Sequence, residues 1–197
     1  MKPTVAVLNY GMGNLRSVAK ALEAAGARAI VTSDTSDVLG SGALCVPGQG
    51  IFGRCMDNLM SAGQDDLIRE WLVADRPYLG ICLGMQILFD VSEERGPIKG
   101  LSVLPGEVGR LRGDVRVPHM GWSPVNGEHY YFDHSYAVFP SDDSFVAGWC
   151  THGVEFAAMV RRDALTAVQF HPEKSGAAGI ELLRSWVSTV PSRASTR

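Results

Sequence analysis

Apolar positions along the chain fall into short runs punctuated by glycine. Val5-Ala-Val-Leu-Asn9 is one such run, ending in Tyr10-Gly-Met-Gly13. Leu15, Val18, Ala19, Leu22 and Ala25 follow at helical spacing, which predicts a helix over residues 14–25 stopped by Gly26. Residues 28–32 predict a second strand, and residues 43–46 a third that Pro47-Gly48 should break. Residues 59–74 predict one helix, with Leu67, Ile68, Trp71 and Leu72 on its apolar face. Residues 77–81 predict a fourth strand, and residues 82–91 a helix leaving it directly.

The pattern changes after residue 100. Between Leu101 and Gln169 the signals are strands and turns, with glycine and proline between them. Strands are expected over 130–138 and 144–149, and a hairpin from 153–160 and 165–170 around Arg161-Arg-Asp163. A last helix is expected over 175–190. Alternating strands and helices imply a mostly parallel sheet flanked by helices on both faces. The second half adds an antiparallel β extension, so the expected class is α/β. The expected organisation is a single domain over 1–190 with a polar tail at 191–197.

Composition narrows the function classes. The chain has 197 residues, enough to bury a core without metal or disulfide staples. A formal net charge of −3 gives no electrostatic case for nucleic acid or an anionic membrane. Cys45, Cys55, Cys82 and Cys150 are scattered, without the paired spacing of a zinc site or a disulfide framework. No apolar run approaches the ~18 residues of a membrane span, and no signal-peptide core is visible. A reduced, cytoplasmic protein is expected, with Cys45, Cys55 and Cys150 as small buried hydrophobes.

The chemistry centres on Gly80-Ile-Cys-Leu-Gly84. Cys82 falls where a strand hands over to a helix, at the edge where α/β sheets gather ligands. The positive end of a helix favours a thiolate. Glycines two residues to either side permit a sharp nucleophile elbow. Alone, the pentapeptide fits a buried cysteine at an apolar junction equally well. A thiol nucleophile needs a base. His171, in Gln169-Phe-His-Pro-Glu-Lys-Ser175, follows a strand, and Glu173 could fix its tautomer. Val46-Pro-Gly-Gln-Gly50, after another strand, could turn backbone N–H groups toward an oxyanion together with the Leu83 N–H.

These three elements, in this chain order, resemble the class I glutamine amidotransferases. Asn9-Tyr-Gly-Met-Gly-Asn-Leu-Arg-Ser17, Val117-Pro-His-Met-Gly-Trp122 and Tyr131-Phe-Asp-His-Ser-Tyr136 further resemble the glutaminase subunits of imidazole glycerol phosphate synthase. The resemblance implies that Cys82 is the nucleophile, His171 the general base and acid, and Glu173 its orienting carboxylate. It implies substrate contacts at Gly48, Gln49, Gly50, Leu83, Gln86, His134, Ser135 and Tyr136. It implies a heterodimer with a (β/α)₈ cyclase subunit, met by Asn14, His119, Met120, Trp122 and Lys174. It implies neither cofactor nor metal. One position departs from the family: Gln49 stands where a small apolar residue is usual, so a changed basal activity is expected.

Three other readings stay open at this level. One is the glutaminase subunit of another synthase, such as that for pyridoxal phosphate. Another is a thiol-dependent α/β-hydrolase, although that class places its acid before the histidine. The third is a non-catalytic regulatory homologue.

Overall fold

The structure, a computed structural model, describes residues 1–191. Most of the expected tail, 192–197, lies outside the described residues. Chain order begins with β1 (Thr4–Leu8), α1 (Leu15–Ala24), β2 (Arg28–Thr32), α2 (Thr35–Gly40), β3 (Ala43–Gly48), α3 (Phe52–Ser61), α4 (Gln64–Val73), β4 (Tyr78–Cys82) and α5 (Leu83–Gln86). Short strands β5 (Val91–Ser92) and β6 (Ile98–Lys99) precede β7 (Gly106–Arg110), β8 (His119–Val125), β9 (Glu128–His134) and β10 (Tyr136–Pro140). The chain closes with β11 (Val146–His152), β12 (Val154–Arg162), β13 (Leu165–Val168) and α6 (Gly176–Thr189).

Among the described residues one large sheet runs in the order β2-β1-β3-β4-β13-β12-β10-β7-β5-β6, with β11 pairing on β12. Strands β2, β1, β3, β4 and β13 are mutually parallel, and β12, β10 and β7 continue the sheet antiparallel. The expected α/β class with an antiparallel extension is therefore what the chain adopts. β8 and β9 form a separate hairpin.

Side-chain alternation divides the core into two layers. Val5 and Val7 pack on Val18 and Leu22 of α1 and on Leu183 and Trp186 of α6. Ala6 and Leu8, pointing the other way, pack with Phe52 and Leu59 of α3 and Ile68 and Trp71 of α4. Period-2 alternation in a strand apolar on both faces is the signature of a covered parallel sheet. Each large side chain so buried contributes roughly 1.5–3 kcal/mol.

The structure corrects several sequence expectations. The helix expected over 59–74 is two helices, because Gly63 adopts φ +64 between α3 and α4. That left-handed turn reverses the chain, and glycine takes it without strain. The helix expected after Cys82 is one turn long. Its later carbonyls, on Ile87, Leu88 and Phe89, accept from Leu101, Val103 and Ser102 of the following loop instead of continuing the helix. Pro47-Gly48 does not break β3: both residues stay in register with Ile81 and Cys82. The β1 pairing ends at Cys45, and the Pro47 carbonyl turns to the Tyr10 hydroxyl, so the missing N–H removes no ladder bond. The strand expected over 130–138 splits at Ser135, sending β9 into the hairpin and β10 into the sheet. The strand expected over 144–149 begins only at Val146, because Asp143–Phe145 form a 3₁₀ turn capped by Asp142. The 161–163 hairpin forms as expected, between β12 and β13.

Candidate active site

β4 and β13 are parallel neighbours, with Ile81 opposite Val168. Cys82 ends the first, and His171 follows the end of the second, so topology brings them to one sheet edge. Cys82 has φ 55 and ψ −107, a conformation that side chains other than glycine rarely adopt. Its neighbours must be small. A Cβ on Gly84 would lie 1.8 Å from the Val46 carbonyl oxygen, and one on Gly80 would lie 2.3 Å from the Gly84 oxygen. The buried Tyr78 hydroxyl donates to that same Gly84 carbonyl at 2.8 Å, holding the turn closed.

His171 is 1% exposed. Its Nδ1 lies 2.8 Å from Glu173 Oε1, and both side chains are buried. The loop carrying them is tied to the hairpin: His171 N–H donates to the Tyr131 carbonyl, and the Ser175 hydroxyl joins the His171 carbonyl to the Tyr131 N–H. Ser175 therefore braces this loop and does not cap α6. His171 Nε2 and Glu173 Oε2 are buried without a hydrogen-bond partner among the described residues. Burial pulls the His171 pKa down, but the Cys82 thiol and the Glu173 carboxylate outweigh it and raise it to about 10. The buried carboxylate on Nδ1 orients the ring and favours its protonated form. The other cysteines differ. Burial raises the Cys45 thiol, and raises Cys55 to about 12 and Cys150 to about 11, away from nucleophilic use.

A cavity of about 330 Å³ opens beside Cys82. Of the expected substrate contacts, Gln49, Gly50, Leu83, Gln86, His134, Ser135 and Tyr136 line it. Gly48 does not. It is buried behind the wall, where a Cβ would collide with the Tyr10 hydroxyl and the Leu83 Cβ at 2.4 and 2.6 Å. Glu94, Pro118 and Asp133 also line the cavity, and sequence reasoning missed them. Glu94 accepts from the Phe52 N–H at 2.7 Å, a contact between residues 42 apart in the chain. A larger groove of about 820 Å³ runs beside Tyr130, Arg161 and Ile180. It touches none of Cys82, His171 and Glu173, so the smaller cavity beside Cys82 is the candidate site.

His134 and Gln86 belong to one polar network. The Tyr136 carbonyl lies 2.9 Å from both His134 Nδ1 and Gln86 Nε2. A carbonyl only accepts, so His134 carries its proton on Nδ1. His134 Nε2 must then accept from His119 Nδ1, 3.1 Å away, and His119 Nε2 accepts from the Ser123 hydroxyl at 2.8 Å. Both rings work neutral. Burial lowers the His134 pKa to about 3 and the His119 pKa to about 4. Between those values and the ordinary histidine pKa of about 6.5, the unfolded chain binds protons that the folded chain refuses. Stability should therefore fall as pH drops below about 6.5. For His134 the loss by pH 5 is roughly 2 kcal/mol. Urea midpoints measured across this range should fall more steeply for the wild type than for His134→Gln.

The residues expected at a partner face divide. Met120 and Trp122 are 62% and 56% exposed on β8. Asn14 is exposed, and Lys174 lies on the rim, 3.7 Å from Asp133 and over the Tyr131 ring. His119 is the exception. It is 3% exposed and stacks between His152 and Phe132, with ring centroids at 4.1 and 4.7 Å. Alternation along β8 explains the split, because His119 faces the core and Met120 faces out.

Comparison with known proteins agrees with this geometry. The profile of the family described as glutamine amidotransferase class-I matches residues 6–189. The imidazole glycerol phosphate synthase subunit HisH of Moorella thermoacetica is 44% identical, over 94% of this chain and 94% of that one. The chloroplastic imidazole glycerol phosphate synthase hisHF of Arabidopsis thaliana is 42% identical over 93% of this chain, which spans 34% of that longer protein. Among solved structures, a glutamine amidotransferase superposes with a TM-score of 0.73 at 20% identity, covering 94% of this chain and 99% of that one. PurLQS from Thermotoga maritima superposes at 0.64 and 19% identity, covering 95% and 99%. These two show a shared fold. With its strained cysteine elbow and buried histidine–glutamate pair on neighbouring strands, the chain belongs to the class I glutamine amidotransferases, in the branch of the HisH subunits.

Proposed function

We propose that the chain hydrolyses L-glutamine to glutamate and ammonia and passes the ammonia to a (β/α)₈ cyclase subunit. The observation that carries this is the strained Cys82, set beside the His171–Glu173 pair at the cavity wall. The Cys82 thiolate attacks the side-chain carboxamide carbon, and the C=O electrons move onto oxygen. Backbone N–H groups at Leu83, Gln49 and Gly50, which line the cavity, would receive that oxyanion. The imidazolium of His171 protonates the departing nitrogen, and ammonia leaves a γ-glutamyl thioester. His171 then takes a proton from water, which attacks the thioester carbon. Collapse expels the thiolate, releasing glutamate. Glu173 holds the ring throughout and stabilises its charged form. Gly50 and Gln86 would contact the substrate's backbone region or side chain, and the segment His134-Ser135-Tyr136 would hold its α-amino and α-carboxylate groups.

The ammonia would be used by the cyclase on a phosphoribulosyl-formimino aminoimidazole carboxamide ribotide. The products would be imidazole glycerol phosphate, for histidine synthesis, and an aminoimidazole carboxamide ribotide. The longer plant relative, named hisHF, supports a paired cyclase. Four free, buried cysteines fit the reducing cytoplasm. Among the described residues no helix is long and apolar enough to cross a membrane.

Glutamate release, measured with the cyclase and its nucleotide present, tests the proposal. Release is expected, and its absence would overturn the reading. The exposed Met120 and Trp122 form the apolar part of the proposed docking face. A tryptophan anchor of this kind typically carries at least 1–2 kcal/mol of binding. Trp122→Ala should therefore weaken cyclase association roughly tenfold or more in calorimetry.

A further inference from the structure

We infer that Gln169 is a third partner of the nucleophile, an amide donor that supports the Cys82 thiolate from the side away from solvent. This rests on the assignment of Cys82 as the nucleophile and goes beyond the cysteine–histidine–glutamate set.

Gln169 is 0% exposed, at the end of β13 and two residues before His171. A glutamine so buried requires partners for its amide. Its Nε2 lies 3.5 Å from Cys82 Sγ, and its Oε1 lies 2.9 Å from Gln86 Nε2.

Which end of the amide meets the sulfur is fixed by a chain of constraints. The Tyr136 carbonyl can only accept, so Gln86 must present its nitrogen there, at 2.9 Å. The second N–H of that nitrogen points at Gln169, and an N–H requires an oxygen opposite. Gln169 therefore turns Oε1 to Gln86 and its NH₂ group to the sulfur. Tyr136 is held in turn by His134, and His134 by His119. A thiolate accepts this bond far more strongly than a thiol does. The donor thus acts on the form of Cys82 that reacts. His171, Tyr10 and Cys55 are the other titratable groups whose charge reaches Cys82, and all three stay in place when Gln169 is replaced.

The test reads the nucleophile without glutamine. Alkylation of Cys82 in the full chain by iodoacetamide is followed by mass spectrometry of the Cys82 peptide, between roughly pH 5 and pH 9. The proteins compared are wild type, Gln169→Met, Gln169→Glu and Gln86→Met. Gln169→Met keeps the volume and removes the donor. Its alkylation at about pH 6 should fall roughly tenfold, with the two rates converging at alkaline pH. Gln86→Met should shift the profile the same way by less, because it only releases the amide to flip. A purely structural role would lower the unfolding midpoint and leave the profile unmoved, and a Gln169→Met profile superimposed on wild type overturns the inference. If Gln169→Met does not fold, Gln169→Glu decides. A carboxylate facing the sulfur should slow alkylation at neutral pH, and equal or faster alkylation overturns the inference. Failure of the glutaminase reading looks different. In that case the wild type releases no glutamate, while Gln169→Met still slows alkylation.

Discussion

Cys82→Ala is expected to lower glutamine hydrolysis by the cyclase-bound chain at least about 10⁴-fold while leaving the fold intact. The size follows from the sulfur's role: it forms the bond that splits one hard step into two easier ones. Backbone donors and substrate contacts survive the change and should leave a small residual rate. The fold should survive because alanine occupies less space than cysteine in the same tight turn. The variant has a second readout. Burial lowers the His171 pKa, and the raising influences come from Cys82 and Glu173. Removing one of them should move the His171 titration down from about 10, followed by NMR of the ring protons. The pair's contribution to stability follows the same sign. A folded pKa above the ordinary value of about 6.5 stabilises the wild type fully below that pH, and the benefit is lost as pH rises through about 10. A Cys82→Ala protein that releases glutamate at the wild-type rate would remove the covalent mechanism.

Gly84→Ala should be the most damaging single-methyl change near the site. The added carbon would sit 1.8 Å from the Val46 oxygen and 2.9 Å from its carbonyl carbon. Both atoms belong to the backbone of β3, a fully buried strand paired between β1 and β4. Flexible side chains can yield to a methyl group, whereas a central strand moves only with the sheet. Overpacking in a core typically costs 1–3 kcal/mol, and this contact should reach about 3 kcal/mol or more. The variant should show a lower thermal midpoint together with lost glutaminase activity. Both losses would share a cause, because β3 leads directly into Gln49 and Gly50 and its spacing from the elbow would set where these proposed oxyanion donors stand. Gly40→Ala is the control. Nothing lies within 4 Å of its added carbon, and its effect should stay within about 0.5 kcal/mol.

The sequence disclosed the chemistry better than the connections. The elbow was legible because close packing forces glycine at Gly80 and Gly84, and such a need leaves its mark at fixed offsets from Cys82. His171 and Glu173 were legible for a similar reason, since two residues of separation suffice for the 2.8 Å contact. Glu94 and Asp133 were not. Each reaches the cavity because distant loops converge there, and neither carries a local pattern that says so. Elements failed where tertiary contacts overrode local preference. The helix after Cys82 stops early because the loop at 101–103 claims its carbonyls, a contact invisible in the apolar run itself. Pro47 reads as a strand breaker, yet it stays in β3 because β1 has already ended beside it. His119 sat in a segment expected to face a partner, but strand alternation turns its ring inward while its neighbour Met120 faces out. Gln169 carries no local signal of its own, because its place beside the Cys82 sulfur follows from the pairing of β13 with β4.

The position of β13 bears on when the proposed site could be assembled during synthesis. Cys82 ends β4 and His171 follows the end of the neighbouring β13, and Gln169, beside the sulfur, is 87 residues from Cys82 along the chain. A nascent polypeptide that has reached only β4 holds the elbow cysteine without a base, an orienting carboxylate or the amide donor. Contacts so distant in sequence form late and slowly. On the proposed reading, Cys82 would meet its partners only after β13 has emerged and slotted between β4 and β12. A truncated or stalled product would hold Cys82 as an ordinary thiol, without the groups proposed to activate it.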